Sequence, residues 1–253
     1  MLPNIWIFDT YNLLIIIGVL AAIFVFIAYA NKIKMDYQLK YTIAMLASIS
    51  VIAGLVFAIL FQTLFDFLEG NTDRPFAMTF YGGLLGGAGT FLALFFFYVK
   101  KKYPIAAHFK DLLIISPAAI TVAHGFGRIG CFAAGCCYGI ETDSWLGVEF
   151  PHHDHAVYPT QLFEAIFLFL LAGVLLYLAF KHNNKYTMPI YLVAYGIWRF
   201  NIEFIRGDDR GAFFLSLSPS QWFSIVAVLM GITLFFLLKK GRQVHSKTTI
   251  PSV

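Results

Sequence analysis

The residues able to do chemistry gather where an apolar run ends. Leu112 to Ala123 is almost wholly apolar, and the chain then reads His124-Gly-Phe-Gly-Arg128-Ile-Gly-Cys131-Phe-Ala-Ala-Gly-Cys136-Cys137-Tyr-Gly139. An arginine at the centre of a membrane helix costs about 2.5–3.5 kcal/mol on insertion scales, so its presence calls for a functional reason. A second group follows in Arg199 and Glu203, one helical turn apart, with Arg206 three residues on. Glu164 is a further ionisable residue inside an apolar run. Arg199 and Glu203 could simply neutralise each other and ease insertion. Arg128, Arg199 and Arg206 together exceed what Glu203 alone can satisfy, and an anionic headgroup would complete the balance. Guanidinium forks bind phosphate oxygens bidentately, and a phospholipid phosphate is the anion at hand at that depth. These residues are read as the wall of a polar site inside the membrane.

Other motifs carry less. Gly125-Phe-Gly-Arg-Ile-Gly130 matches the dinucleotide fingerprint, which has meaning only between a strand and a helix; here it closes a membrane span. Gly82-Gly83-Leu-Leu-Gly86-Gly87 serves close helix packing or the approach of a ligand to bare backbone beside Tyr81, and the two are compatible. The three cysteines are an odd number, with no second pair to complete a zinc ribbon or a disulfide framework. Adjacent Cys136 and Cys137 are poorly spaced for chelation, so packing thiols are expected and no metal site. His152, His153 and His155 beside Asp154 read as a solvated tract. His124, one turn before Arg128, is either a buried histidine bonded to a carbonyl or a proton-handling group.

The elements that must position these residues are membrane helices. The chain is 59% hydrophobic with a mean hydropathy of +0.75. Only 13% of residues are charged, against about 25% in soluble domains. Runs near the ~20 residues needed to span occur at Tyr11–Ala30, Tyr41–Phe65, Phe76–Tyr98, Leu112–Phe132, Pro159–Phe180, Met188–Ile205 and Gln221–Leu238. Ala28-Tyr-Ala30 resembles a signal-peptidase site, but no Lys or Arg precedes the first run while Lys32 and Lys34 follow it, so an anchor is expected. Lys32, Lys34 and Lys40, then Lys100, Lys101, Lys102 and Lys110, then Lys181 and Lys185, then Lys239, Lys240, Arg242 and Lys247 fill alternate connections. The intervening ones are poor in bases, and 133–158 has four acidic residues and no Lys or Arg. The positive-inside rule then predicts an all-α protein of seven transmembrane helices, N-terminus outside and C-terminus cytoplasmic. One membrane domain is expected over 1–253, with an extracytoplasmic loop at 133–158 and a basic cytoplasmic tail at 239–253. The net charge of +4 is topology and not a nucleic-acid footprint.

With these residues assembled, the sequence resembles the phosphatidylglycerol–prolipoprotein diacylglyceryl transferase family over nearly its full length. Tyr11 opens the first span as the family's tyrosine does. Met78-Thr-Phe-Tyr-Gly-Gly-Leu-Leu-Gly86 resembles the family's F-H-G-G-L element, and Gly127 to Gly139 its signature G-R-x-G-N-F-x-N-x-E-x-x-G. Tyr158-Pro-Thr-Gln-Leu-Phe-Glu164 is similar to H-P-[ST]-Q-L-Y-E, Arg199 to Arg206 to R-F-x-x-E-x-x-R, and Leu217-Ser-Pro-Ser-Gln221 to L-S-x-x-Q. Tyr81 and Tyr158 stand where the family has histidines, Cys131 and Ala134 where it has asparagines, and Cys136 where it has glutamate. The resemblance implies transfer of the diacylglyceryl group of phosphatidylglycerol to a prolipoprotein lipobox cysteine at a bacterial plasma membrane, without cofactor, metal or nucleic acid. It implies that Arg128, Arg199 and Arg206, with Tyr11, Gln161, Glu164 and Glu203, hold the phospholipid, Arg199 also stabilising the leaving phosphate. Tyr81 would orient the acceptor, and His124 or the field of the arginines would promote loss of the thiol proton. The same donor with another acceptor, or a silent lipid-binding or lipid-translocating paralogue, is the alternative.

Overall fold

The computed structural model describes residues 4–5, 8–69, 80–103, 105–151, 153–207 and 217–247. Among the described residues, apart from a two-residue antiparallel ladder between β1 (Asn4–Ile5) and β2 (Phe8–Asp9), the regular structure is helical. The helices are α1 (Thr10–Lys32), α2 (Tyr37–Glu69), α3 (Phe80–Leu94), α4 (Lys100–Lys102), α5 (Ile105–Ala134), α6 (Thr160–His182), α7 (Thr187–Ile202) and α8 (Pro219–Lys247). A π-helical turn at Phe95–Val99 joins α3 to α4, and a 3-10 turn at Glu203–Ile205 follows α7.

Among the described residues six stretches are long and apolar enough to cross a membrane: Thr10–Lys32, Tyr37–Leu64, Gly82–Val99, Phe109–Ala134, Thr160–His182 and Pro219–Lys240. The chain is a multi-pass membrane protein, and six of the seven expected runs are among these stretches. The run expected at Met188–Ile205 differs. Its α-helix has 16 residues, about 24 Å of rise against a hydrocarbon core of about 30 Å, and tightens into the 3-10 turn at Glu203. The last helix, α8, continues through Lys239 and Lys240 to Lys247.

Packing divides the chain into two compact units, Met1–Tyr29 with Lys110–Val253, and Ala30–Phe109. In the second unit α2 and α3 cross closely at glycines. A Cβ on Gly54 would lie 3.0 Å from the Gly83 carbonyl oxygen, and one on Gly87 would lie 3.2 Å from that of Ser50. Close helix packing is thus what Gly83 and Gly87 serve. Tyr81 lies on α3, with its side chain outside the described residues.

In the first unit, the helices that carry the site are locked by polar contacts where the backbone cannot satisfy itself. Pro117 inside α5 has no N–H, which leaves the Leu113 carbonyl without its helical donor. Thr187 Oγ1 of α7 donates to that oxygen at 3.2 Å. At the end of α6, Asn183 takes a left-handed conformation (φ 46°), and its side-chain oxygen accepts from the Tyr29 hydroxyl of α1. Gly196 of α7 and Gly231 of α8 bring those helices together.

Candidate functional site

The site lies where the end of α5, the start of α6 and the end of α7 meet. Glu164, 1% exposed on α6, is its first centre. Arg128 Nε of α5 stands 2.9 Å from Glu164 Oε2. His124 Nε2, one turn earlier, is 3.7 Å from Oε1, beyond hydrogen-bond reach. The Tyr195 hydroxyl of α7 donates to Glu164 Oε1 at 2.9 Å, and its ring meets His124 edge-on at 5.2 Å between centroids.

Glu203 is the second centre. Its Oε2 lies 2.5 Å from Arg199 Nη1 and 4.0 Å from Arg206 Nε. Its Oε1 accepts from Ser218 Oγ at 2.7 Å. Arg199 Nη2 also donates to Ser220 Oγ of α8 at 2.9 Å. Gln221 steadies this corner by accepting the Ser218 backbone N–H at 2.9 Å. Arg199 acts electrostatically on both Glu164 and His124, so the two centres form one field. Three guanidinium groups face two carboxylates. Arg128 Nε and Arg199 Nη1 lie at ion-pair distance from their carboxylates without hydrogen-bond alignment. The attraction at these two atoms is therefore coulombic.

Tyr11, in the first turn of α1, is placed by Asp9, whose Oδ1 accepts the Tyr11 N–H at 3.1 Å as a helix cap. A Cβ on Gly130 would lie 3.2 Å from Tyr11 Cδ2, so glycine there lets the ring lie against α5. Tyr11 is within the electrostatic reach of Arg128 and of all three cysteines. Gln161 is buried, with Nε2 donating to the Cys136 carbonyl at 2.5 Å and Oε1 lacking a hydrogen-bond partner. Thr160 Oγ1 donates to the Cys137 carbonyl at 2.8 Å. The segment after Cys137 is laced to the end of α7: Gly139 pairs with Arg206, and the Ile140 N–H donates to the Ile205 oxygen at 2.9 Å.

The cysteines depart from expectation. Their spacing is poorly suited to convergence, yet the three Sγ atoms lie within 4.8 Å of one another. Gly135 (φ 71°) ends α5 in a Schellman motif: the Cys136 N–H donates to the Cys131 oxygen and the Gly135 N–H to the Phe132 oxygen, each at 3.1 Å. That motif sets the residue after the glycine over the residue four before it, which places Cys136 against Cys131. Cys137 is itself left-handed (φ 64°), a conformation unusual for a non-glycine residue, and turns its thiol back toward the other two. Hydrogen bonds with the Cys131 and Cys136 thiols hold the Cys137 thiol below its ordinary range, and Arg206 acts in the same direction. The same thiol contacts raise Cys136. Of the histidine tract, His153 packs on the Tyr138 ring and His152 is outside the described residues.

The structure thus brings together Tyr11, His124, Arg128, Gln161, Glu164, Arg199, Glu203 and Arg206 within the first unit. Tyr195 and Ser220 were not singled out from sequence. Tyr195 falls one turn before Arg199, a spacing that puts both on one face of α7; Ser220 left no comparable signal.

The profile of a family described as prolipoprotein diacylglyceryl transferase matches residues 4–237. Phosphatidylglycerol–prolipoprotein diacylglyceryl transferase 2 of Clostridium perfringens is 42% identical over 170 residues, 64% of this chain and 63% of that protein, so the chain spans less than two thirds of this relative. The phosphatidylglycerol–prolipoprotein diacylglyceryl transferase of Clostridium tetani is 33% identical over 92% of this chain and 94% of its own length. The protein of that name from Rickettsia conorii is 32% identical over 87% and 88%.

Proposed function

The chain belongs to the prolipoprotein diacylglyceryl transferase family, and from that membership and the buried arginine cluster we infer that it transfers the diacylglyceryl group of phosphatidylglycerol to a prolipoprotein cysteine thiol. The observation that carries this reading is the excess of buried guanidinium over carboxylate at the meeting of α5, α6 and α7. In a low-dielectric site such donors attract a phosphodiester and stabilise the charge that grows on its leaving oxygen. The thiolate sulfur bonds to the glyceryl carbon as the carbon–oxygen bond to phosphate breaks, and glycerol 1-phosphate departs with the electron pair. Arg128, Arg199 and Arg206 hold the phosphate; Glu164 and Glu203 orient the arginines. Tyr11 and Gln161 line the headgroup. The arginine field favours thiolate, the reactive form, and His124 takes its proton.

In this reading α7 completes a seventh crossing, the N-terminus is outside, the C-terminus is cytoplasmic, and the site opens at the outer face of a bacterial plasma membrane under the acidic loop. One membrane domain carries the reaction. The test is mass spectrometry of a lipobox peptide incubated with the protein and phosphatidylglycerol. A gain of one diacylglyceryl group on cysteine, lost in Arg128→Ala, is expected; no gain with folded protein and bound phospholipid would sink the reading. Full turnover by His124→Ala at neutral pH would remove His124 as the base. A second reading, the same donor with another acceptor, is favoured by Tyr81, Cys131 and Cys136, which stand where the family has other residues.

A further inference from the structure

Three thiols brought together by two left-handed backbone positions are more than packing requires. Packing is served by any small side chain, whereas the turn at Cys137 sets a non-glycine residue in a strained conformation whose effect is to gather sulfur. The gathering is also braced from behind. Gln161 and Thr160 hold the carbonyls of Cys136 and Cys137, and Arg206 hydrogen-bonds the Cys137 thiol. Cys131 belongs to the last turn of α5, whose carbonyl end favours positive charge. Sulfur atoms around a tetrahedral zinc, with zinc–sulfur bonds of about 2.3 Å, stand about 3.8 Å apart. From separations within 4.8 Å that arrangement needs movements of about 1 Å or less, within the reach of side-chain rotation.

We propose that Cys131, Cys136 and Cys137 form a three-thiolate site for zinc(II), with the fourth coordination position open to the thiol of the acceptor. Soft thiolate ligands select zinc over the hard cations, and three protein ligands with an open fourth position are the arrangement of reactive zinc sites. Arg206, which hydrogen-bonds the Cys137 thiol, lies beside the sulfurs. The three protein thiols release their protons to water as the ion binds.

The consequence for catalysis rests on the transferase reading. Binding of the acceptor thiol at the fourth position releases its proton, which His124 takes, because a coordinating thiol is deprotonated outright. The zinc-bound sulfur then forms its bond to the glyceryl carbon while the carbon–oxygen bond breaks toward phosphate. Cys131 lies one turn beyond Arg128, so acceptor sulfur and donor phosphate are held by neighbouring turns of one helix. The ion thereby relieves His124 of setting the thiol's acidity.

The test uses the full chain in phosphatidylglycerol nanodiscs, reduced, stripped by a chelator, and titrated with zinc against a chromophoric competitor. One zinc per chain is expected, with affinity reduced on the order of 100-fold or more in Cys131→Ser, Cys136→Ser and Cys137→Ser. Cobalt(II) in place of zinc should give sulfur-to-metal charge-transfer bands that shift on adding a cysteine lipobox peptide and not its serine analogue. Unmutated protein capped with methyl methanethiosulfonate should lose zinc binding, and prior zinc should protect it, which guards against variants that fail to fold. No zinc uptake, or equal uptake by the triple-serine variant, overturns the site. An unchanged cobalt spectrum with the cysteine peptide overturns the open fourth position. Transfer undiminished after zinc removal overturns the catalytic role and leaves the transferase reading standing. Tight zinc binding without any transfer retains the site and sinks that reading instead.

Discussion

Removing Arg128 should damage stability and activity by separable amounts. Its guanidinium lies 2.9 Å from the Glu164 carboxylate, with side-chain exposures of 13% and 1%, so Arg128→Ala leaves a buried carboxylate whose hydrogen-bond donor among the described residues is the Tyr195 hydroxyl. Breaking one partner out of a buried pair costs about 3–5 kcal/mol. For a chain of this size that lowers Tm on the order of 10 °C. The double variant Arg128→Ala/Glu164→Ala removes the orphaned charge and should regain most of the lost stability, a coupling that a double-mutant cycle isolates. Activity should not follow. Loss of a donor to developing charge lowers kcat about 10²–10³-fold, and deleting Glu164 restores no donor. Thermal unfolding in nanodiscs and diacylglyceryl transfer per folded molecule measure the two effects. If the double variant regains transfer along with stability, Arg128 merely neutralises Glu164, and the phosphate-clamp argument fails.

Three further outcomes are expected. Tyr195→Phe removes a hydrogen bond to an ionised carboxylate and should destabilise by about 1.5–3 kcal/mol, read by thermal unfolding; an unchanged Tm would show that Tyr195 is not needed to satisfy Glu164. Gly135→Ala forces alanine to φ 71°, at a cost of roughly 1–2 kcal/mol, and its Cβ would lie 3.3 Å from Phe150 Cδ1. Tm should fall by a few degrees and cross-linking of the thiols should weaken; an unchanged pattern would remove the Schellman turn as the cause of their convergence. In metal-free protein the lowered Cys137 thiol should react with iodoacetamide at lower pH than the raised Cys136 thiol when labelling is followed from about pH 6 to about pH 9. Labelling of the raised Cys136 should climb with pH over the same range. Parallel titration of both near the free-thiol value would contradict that division.

Length, apolar content and intramembrane charge are properties of a local stretch, so their structural consequences can be read without the fold. Six stretches long and apolar enough to cross a membrane, the placement of Arg128, Glu164, Arg199 and Glu203 inside or at the end of helices, and the glycine seam on α3 were all legible from spacing and composition. The polar end of α7 was legible too, although its helical length was not, because the change from α-helix to a 3-10 turn at Glu203 leaves no mark in the hydropathy pattern. Which carboxylate meets which arginine is a matter of helix packing. Glu164 reaches Arg128 across two helices, a pairing that periodicity along either helix cannot express. The fate of the cysteines is of the same kind. Sequence spacing treats Cys136 and Cys137 as neighbours pointing apart, whereas the left-handed turns at Gly135 and Cys137 fold both thiols back over Cys131. Backbone handedness is held by hydrogen bonds from Gln161 and Thr160 on another helix, so only the folded chain could place three sulfurs together.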